Sequence, residues 1–115
     1  MNILVREVLR RDYEHVYQET AILDYDRSMA SLEYKMDDDL KEFANEHANM
    51  DTFKRVEEKG VVSFPVISPK HRIISAFENK DDPMVTYSMQ YSIYNLNDLV
   101  KTKTPVSVVR YEEEL

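Results

Sequence analysis

Ile3-Leu4-Val5-Arg6-Glu7-Val8-Leu9-Arg10-Arg11-Asp12-Tyr13-Glu14-His15-Val16-Tyr17-Gln18 sets the architecture expected of the first half of the chain. Apolar side chains stand at Val5, Val8, Leu9, Tyr13, Val16 and Tyr17, in steps of 3, 1, 4, 3 and 1. That spacing lines one face of a helix. Arg6, Arg10 and Arg11 fall off the stripe, where a helix would meet water. Nothing nearby interrupts the pattern. The first 59 residues contain no glycine and no proline; the only glycine is Gly60, and Pro65, Pro69, Pro83 and Pro105 all follow it. Glycine and proline are the residues that most often punctuate a chain. The spacing therefore predicts a helix over residues 3–18, within a helical first half.

Residues 21–36 admit two readings. Ile22, Tyr25, Met29, Leu32 and Met36 form a heptad seam. Alternatively Ala21, Leu23, Tyr25 and then Ala30, Leu32, Tyr34, Met36 alternate as two strands, with Asp26-Arg27-Ser28 as a turn. The seam is unbroken, and alanine, serine and aspartate suit strands poorly, so helix is favoured. Asp37-Asp38-Asp39 reads as a helix start. Aspartate caps well, acids in a first turn complement the helix dipole, and Asp39 with Glu42 makes a capping box. The face Leu40, Phe43, Ala44, His47, Met50 follows, with Phe53 and Val56 beyond Asp51. Lys59 and Gly60 supply a basic last turn and a stop. Breaks are expected near 37–38 and again near 49–51, because an unbroken helix from 21 to 58 would far exceed the usual ~12 residues.

After Gly60 the period changes to two. Val61–Ile67 is a β-branched run in which Pro65 removes a ladder donor, as at an edge or a bulge. Ile73–Glu78 is a second strand. Residues 84–94 alternate most clearly, with Val85, Tyr87, Met89, Tyr91 and Ile93 on one face. Asn79-Lys80-Asp81-Asp82-Pro83 between them is dense in turn formers, so these two strands should form a hairpin. Val106–Tyr111 reads as a last strand and Glu112-Glu113-Glu114-Leu115 as an acidic tail. The expected fold class is α+β: two or three N-terminal helices (residues 1–59) packed on one face of a mainly antiparallel C-terminal sheet of about four strands (60–111), in one domain of 115 residues.

Composition excludes several functions. With no cysteine there is no disulfide framework, thiolate nucleophile or cysteine-ligated zinc. A single glycine leaves no phosphate-cradling loop or dinucleotide fingerprint. Histidines 15, 47 and 71 show no metal-binding spacing; Glu42, Glu46, His47 and Asp51 crowd one segment but read as a solvated acidic face. No cofactor, no metal and no catalysis are expected. Tyr87 and Tyr91 could in principle stack single-stranded nucleic acid, but they share a face with Val85, Met89 and Ile93 and read as core. Charge meets the N-terminus after only three apolar residues, unlike a secretory leader, and no run suits a membrane span. The expectation is a cytoplasmic protein, or one in the host cytoplasm if viral.

Charge is the most informative remaining feature. Residues 12–51 hold twelve acids against Arg27, Lys35 and Lys41, hence −9, which leaves +2 for the other 75 residues of a chain at −7. Asp38, Glu42 and Glu46 repeat at i, i+4 and i+8, and Glu33 and Asp37 continue a neighbouring line. Like charges at that spacing cost a helix a few tenths of a kcal/mol per pair. Glu33, Asp37, Asp38, Asp39, Glu42 and Glu46 are the candidate partner-binding residues. A row of carboxylates can occupy a basic groove that normally holds DNA or RNA. In size, lack of cysteine and abundance of Asn, Asp, Lys and Tyr, the chain resembles small phage or mobile-element accessory proteins, including anti-restriction and anti-CRISPR inhibitors. The resemblance is one of composition and implies an inhibitor that mimics nucleic acid and binds a protein with a basic surface. Direct nucleic-acid binding is not expected. The alternatives are a homo-oligomeric assembly protein, using the Ile22–Met36 seam, and a small enzyme or ligand-binding domain with a pocket at His47, His71 or tyrosines.

Overall fold

The structure, a computed structural model, describes residues 1–60 and 68–96. The strands expected at 61–67 and 106–111 and the tail at 112–115 lie outside the described residues. The elements run β1 (Asn2–Asp12), β2 (His15–Tyr25), α1 (Met29–His47), a single 3-10 turn (Met50–Thr52), β3 (Lys54–Lys59), β4 (His71–Glu78) and β5 (Val85–Asn95). The strands form one antiparallel sheet in the order β2-β1-β5-β4-β3.

The expectation of two or three helices on a four-stranded sheet is thereby overturned. Among the described residues the elements are one long helix, α1, and a five-stranded sheet, and the stretch read as the first helix is a β-hairpin. Two physical causes explain the misreading. First, β1 has neighbours on both sides and carries apolar residues on both faces, so its sequence does not alternate. Leu4, Arg6, Val8 and Arg10 lie on one face; Ile3, Val5, Glu7 and Leu9 lie on the other. Second, the chain turns without glycine. Asp12 pairs with His15 across a two-residue loop in which Tyr13 has φ 53°, and Asp26 ends β2 at φ 55°. Left-handed conformations are uncommon for residues other than glycine, asparagine and aspartate. Tyr13 is anchored there by its hydroxyl, which donates to Asp82 Oδ2 at 2.8 Å in the β4–β5 loop.

Residues 21–36 combine both readings. Ala21–Tyr25 belong to β2, the turn falls at Asp26-Arg27-Ser28, and the helix begins immediately after. Ser28 is the N-cap, accepting from Ser31 N–H at 3.1 Å. The helix then runs through Asp37-Asp38-Asp39 without a break, so that triplet caps nothing. It ends near the second expected break. Ala48 N–H bonds to Ala44 O, Lys80 N–H to His47 O, and Asn49 N–H to Glu78 O, each at 2.8 Å. Lys54–Lys59, read from sequence as the last helical turns before Gly60, is the edge strand β3.

The β4–β5 hairpin agrees with its alternation. Val85, Tyr87, Met89, Tyr91 and Ile93 are all buried beneath the helix, beside Leu4, Ile73 and Phe77. α1 contributes Leu32, Met36, Leu40 and Ala44, one residue per turn. Each fully buried Leu or Met is worth roughly 1.5–3 kcal/mol. Met36 lies fully buried whereas Tyr34 is 76% exposed. Met36→Ala should therefore lower unfolding free energy in urea titration by about 2–5 kcal/mol, and Tyr34→Ala by less than about 0.5 kcal/mol.

Candidate functional site

The six carboxylates singled out from sequence all lie on α1, but the structure divides them into two groups. A straight helix rotates ~100° per residue, so the face opposite Leu32, Met36 and Leu40 points to water and the flanks lean over the sheet.

Asp39 lies on the flank toward β1. Its Oδ2 accepts from Arg6 Nη1 at 2.8 Å and from the Tyr91 hydroxyl at 2.5 Å. Arg6 is on β1 and Tyr91 on β5, and those two residues are direct neighbours in the sheet. Arg6 also lies over the Phe43 ring, 5.7 Å from its centroid, and reaches Glu19 at 3.8 Å. Burial works against the Arg6 charge, but Asp39 and Tyr91 outweigh it and raise its pKa. Burial, and then the Asp39 carboxylate, push the Tyr91 hydroxyl well above its usual range.

Glu33 and Asp37 lie on the opposite flank. Asp37 Oδ1 accepts from Arg55 Nη2 of β3 at 2.5 Å. Glu33 Oε2 sits 2.6 Å from His71 Nδ1 and 3.7 Å from Lys59 Nζ. The His71 ring is buried on β4, and its Nε2 meets Glu57 Oε1 of β3 at 2.5 Å. The Nδ1 contact is close, yet it lacks the alignment of a hydrogen bond. These acids hold helix to sheet. Sequence gave no sign of that role, since Arg6, Arg55 and His71 come from distant segments.

Asp38, Glu42 and Glu46 form the second group. All three are exposed. Among the described residues, no lysine or arginine lies within 4.0 Å of any of them; Glu46 has only the His47 ring, at 3.9 Å. Four residues of helix rise about 6 Å, so successive carboxylates repeat at that interval. The exposed ridge thus has three members where sequence suggested six.

The remaining candidates separate. His47 packs against Phe43 and Tyr87, at 4.6 and 5.5 Å between ring centroids, and Asp51 lies beyond the helix in the 3-10 turn. Among the described residues, no group of three or more His, Asp or Glu is placed to hold a metal ion. A cleft of about 180 Å³ opens between α1 and β3, lined by Leu40, Ala44, Met50 and Phe53 with Asp37 and Arg55; a shallower one of about 370 Å³ includes Phe77 and Tyr87. Neither includes His47 or His71. No helix among the described residues is long and apolar enough to cross a membrane. Compared with protein-family models, with curated proteins and with solved structures, the chain matches none of them.

The Tyr91 node has a pH signature. Its folded pKa is raised, so the native state keeps a proton that the unfolded chain releases above pH ~10. Stability held by this bond is complete below that pH and declines as pH rises beyond it. Tyrosinate absorbance should show a late phase that coincides with alkaline unfolding. Tyr91→Phe should abolish that phase, and its survival in the variant would show that another tyrosine is the protected one.

Proposed function

We propose that this protein is a non-catalytic binding module whose α1 ridge of Asp38, Glu42 and Glu46 docks on a cationic surface of another protein. The concrete form is an inhibitor of a nucleic-acid-handling host protein, encoded by a phage or mobile element, with the carboxylates taking the place of backbone phosphates. The observation that carries this reading is the contrast along one helix. Glu33, Asp37 and Asp39 are matched by cations from the sheet, while Asp38, Glu42 and Glu46 are exposed and, among the described residues, have no Lys or Arg within 4.0 Å. The ridge retains two like-charged i, i+4 pairs, each mildly unfavourable to the helix. An extended anionic row would draw a basic partner by long-range attraction and fix its register on contact.

The helical seam considered for self-assembly is not available in this fold. Leu32 and Met36 are buried in the protein's own core, and Ile22 and Tyr25 belong to β2.

The test couples capture to a functional readout. Tagged protein is used to capture partners from host lysate at low and high salt, alongside Asp38→Asn/Glu42→Gln/Glu46→Gln. The captured protein is then assayed for nucleic-acid binding with and without the module. Wild type should retain a DNA- or RNA-binding protein at low salt, lose it at high salt and block its nucleic-acid binding. The triple variant should do so at least about tenfold less well. Retention that ignores both salt and the triple substitution would overturn the reading.

A further inference from the structure

The two edges of the sheet are built differently. β3, one edge, is six residues long, and five of them are charged: Lys54, Arg55, Glu57, Glu58 and Lys59. Short length and charge are the usual protection of an edge against pairing with another chain. β2, the other edge, is eleven residues long, and its only carboxylates are Glu19 and Asp24. It has no lysine, arginine or proline. Val16 and Ile22 are 55% and 60% exposed. Along an outer edge, alternate backbone N–H and C=O groups point away from the sheet, and among the described residues no strand pairs with that side of β2. Its neighbour β1 holds it firmly, from Ile3 opposite Tyr25 to Asp12 opposite His15.

Such an edge is completed by another extended strand, the only element with donors and acceptors at the matching repeat. The sequence of β2 permits a copy of itself in that place. Antiparallel pairing with a copy of itself about a two-fold axis places residues that sum to a constant opposite each other. Centred on Thr20, Thr20 meets Thr20, Glu19 meets Ala21 and Gln18 meets Ile22. Centred on Gln18, Glu19 meets Tyr17 and Val16 meets Thr20. Neither register sets one carboxylate against another, whereas centring on Glu19 would, at a cost. The β-bulge between Leu4 and Val5 disturbs only the far end of β2, so His15–Ile22 remain regular.

We propose that β2 is a self-association edge, pairing antiparallel with β2 of a second copy to join two sheets into one. The interface is isologous, as in most soluble dimers, and uses no residue of the acidic ridge. Failure of either idea therefore leaves the other standing.

Gln18 and Thr20 are exposed and lie on the sheet face opposite α1, across from Leu9 and Glu7 of β1. Gln18→Lys/Thr20→Lys should fold normally by circular dichroism while setting lysines against each other in either register. Because the chain has no cysteine, Gln18→Cys and Thr20→Cys are clean single-thiol probes. Sedimentation equilibrium across micromolar to sub-millimolar concentration should show a wild-type dimer. The double-lysine variant should associate at least tenfold more weakly. One of the cysteine variants should form a disulfide-linked dimer on mild oxidation, and His15→Cys, well off either axis, should not. A wild-type monomer throughout the range would overturn the proposal. So would a dimer that the two lysines leave unchanged.

Discussion

Arg6 brings a positive charge into the layer between sheet and helix, and Asp39 is what makes that position tolerable. The guanidinium sits on the helix-facing side of β1, in line with Leu4 and Val8, where an apolar residue would be ordinary. A charge placed there needs a partner of opposite sign with good geometry. Asp39 supplies it at 2.8 Å and ties in the Tyr91 hydroxyl, so three elements meet at one carboxylate. The stem of Arg6 covers apolar surface while its head is held at the flank of α1. Helix position and strand register are thereby coupled. A one-residue slip of β1 would turn Arg6 to the opposite face and leave Asp39 without its cation.

The same logic sorts the acids of α1. On a helix lying across a sheet, flanking positions are reached by long side chains from the strands, and outward positions are not. Asp39 meets β1, while Glu33 and Asp37 meet β3 and β4 through Lys59, His71 and Arg55. Asp38, Glu42 and Glu46 face outward and, among the described residues, meet no lysine or arginine within 4.0 Å. The functional reading thus rests on half of the carboxylates that the sequence brought forward, and the other half are explained as tethers between helix and sheet.

How far the fold was legible depended on where the polar residues point. β4 and β5 alternate because one face meets α1 and the other does not, and Asn79–Pro83 marks the turn between them. The β1–β2 hairpin hid behind two features. Arg6 and Arg10 point inward, which erases the alternation, and Tyr13 and Asp26 make turns usually left to glycine. An 11-residue strand with apolar side chains on both faces then reproduces helical steps by accident. Phe53, just before β3, and Val56 within it prolong the helix spacing past its true end, although Lys54–Lys59 is an edge strand. The acidic character of α1 was visible from the start. Which acids were free was not, because their partners lie 18 to 38 residues away in sequence.

A double-mutant cycle on Arg6→Met and Asp39→Asn, read by equilibrium unfolding, measures the central interaction directly. If the pair holds helix to sheet as described, each single substitution destabilises the protein. The double variant then costs less than their sum, with a coupling energy of about 1–3 kcal/mol. Single effects that add to within about 0.5 kcal/mol would contradict the account.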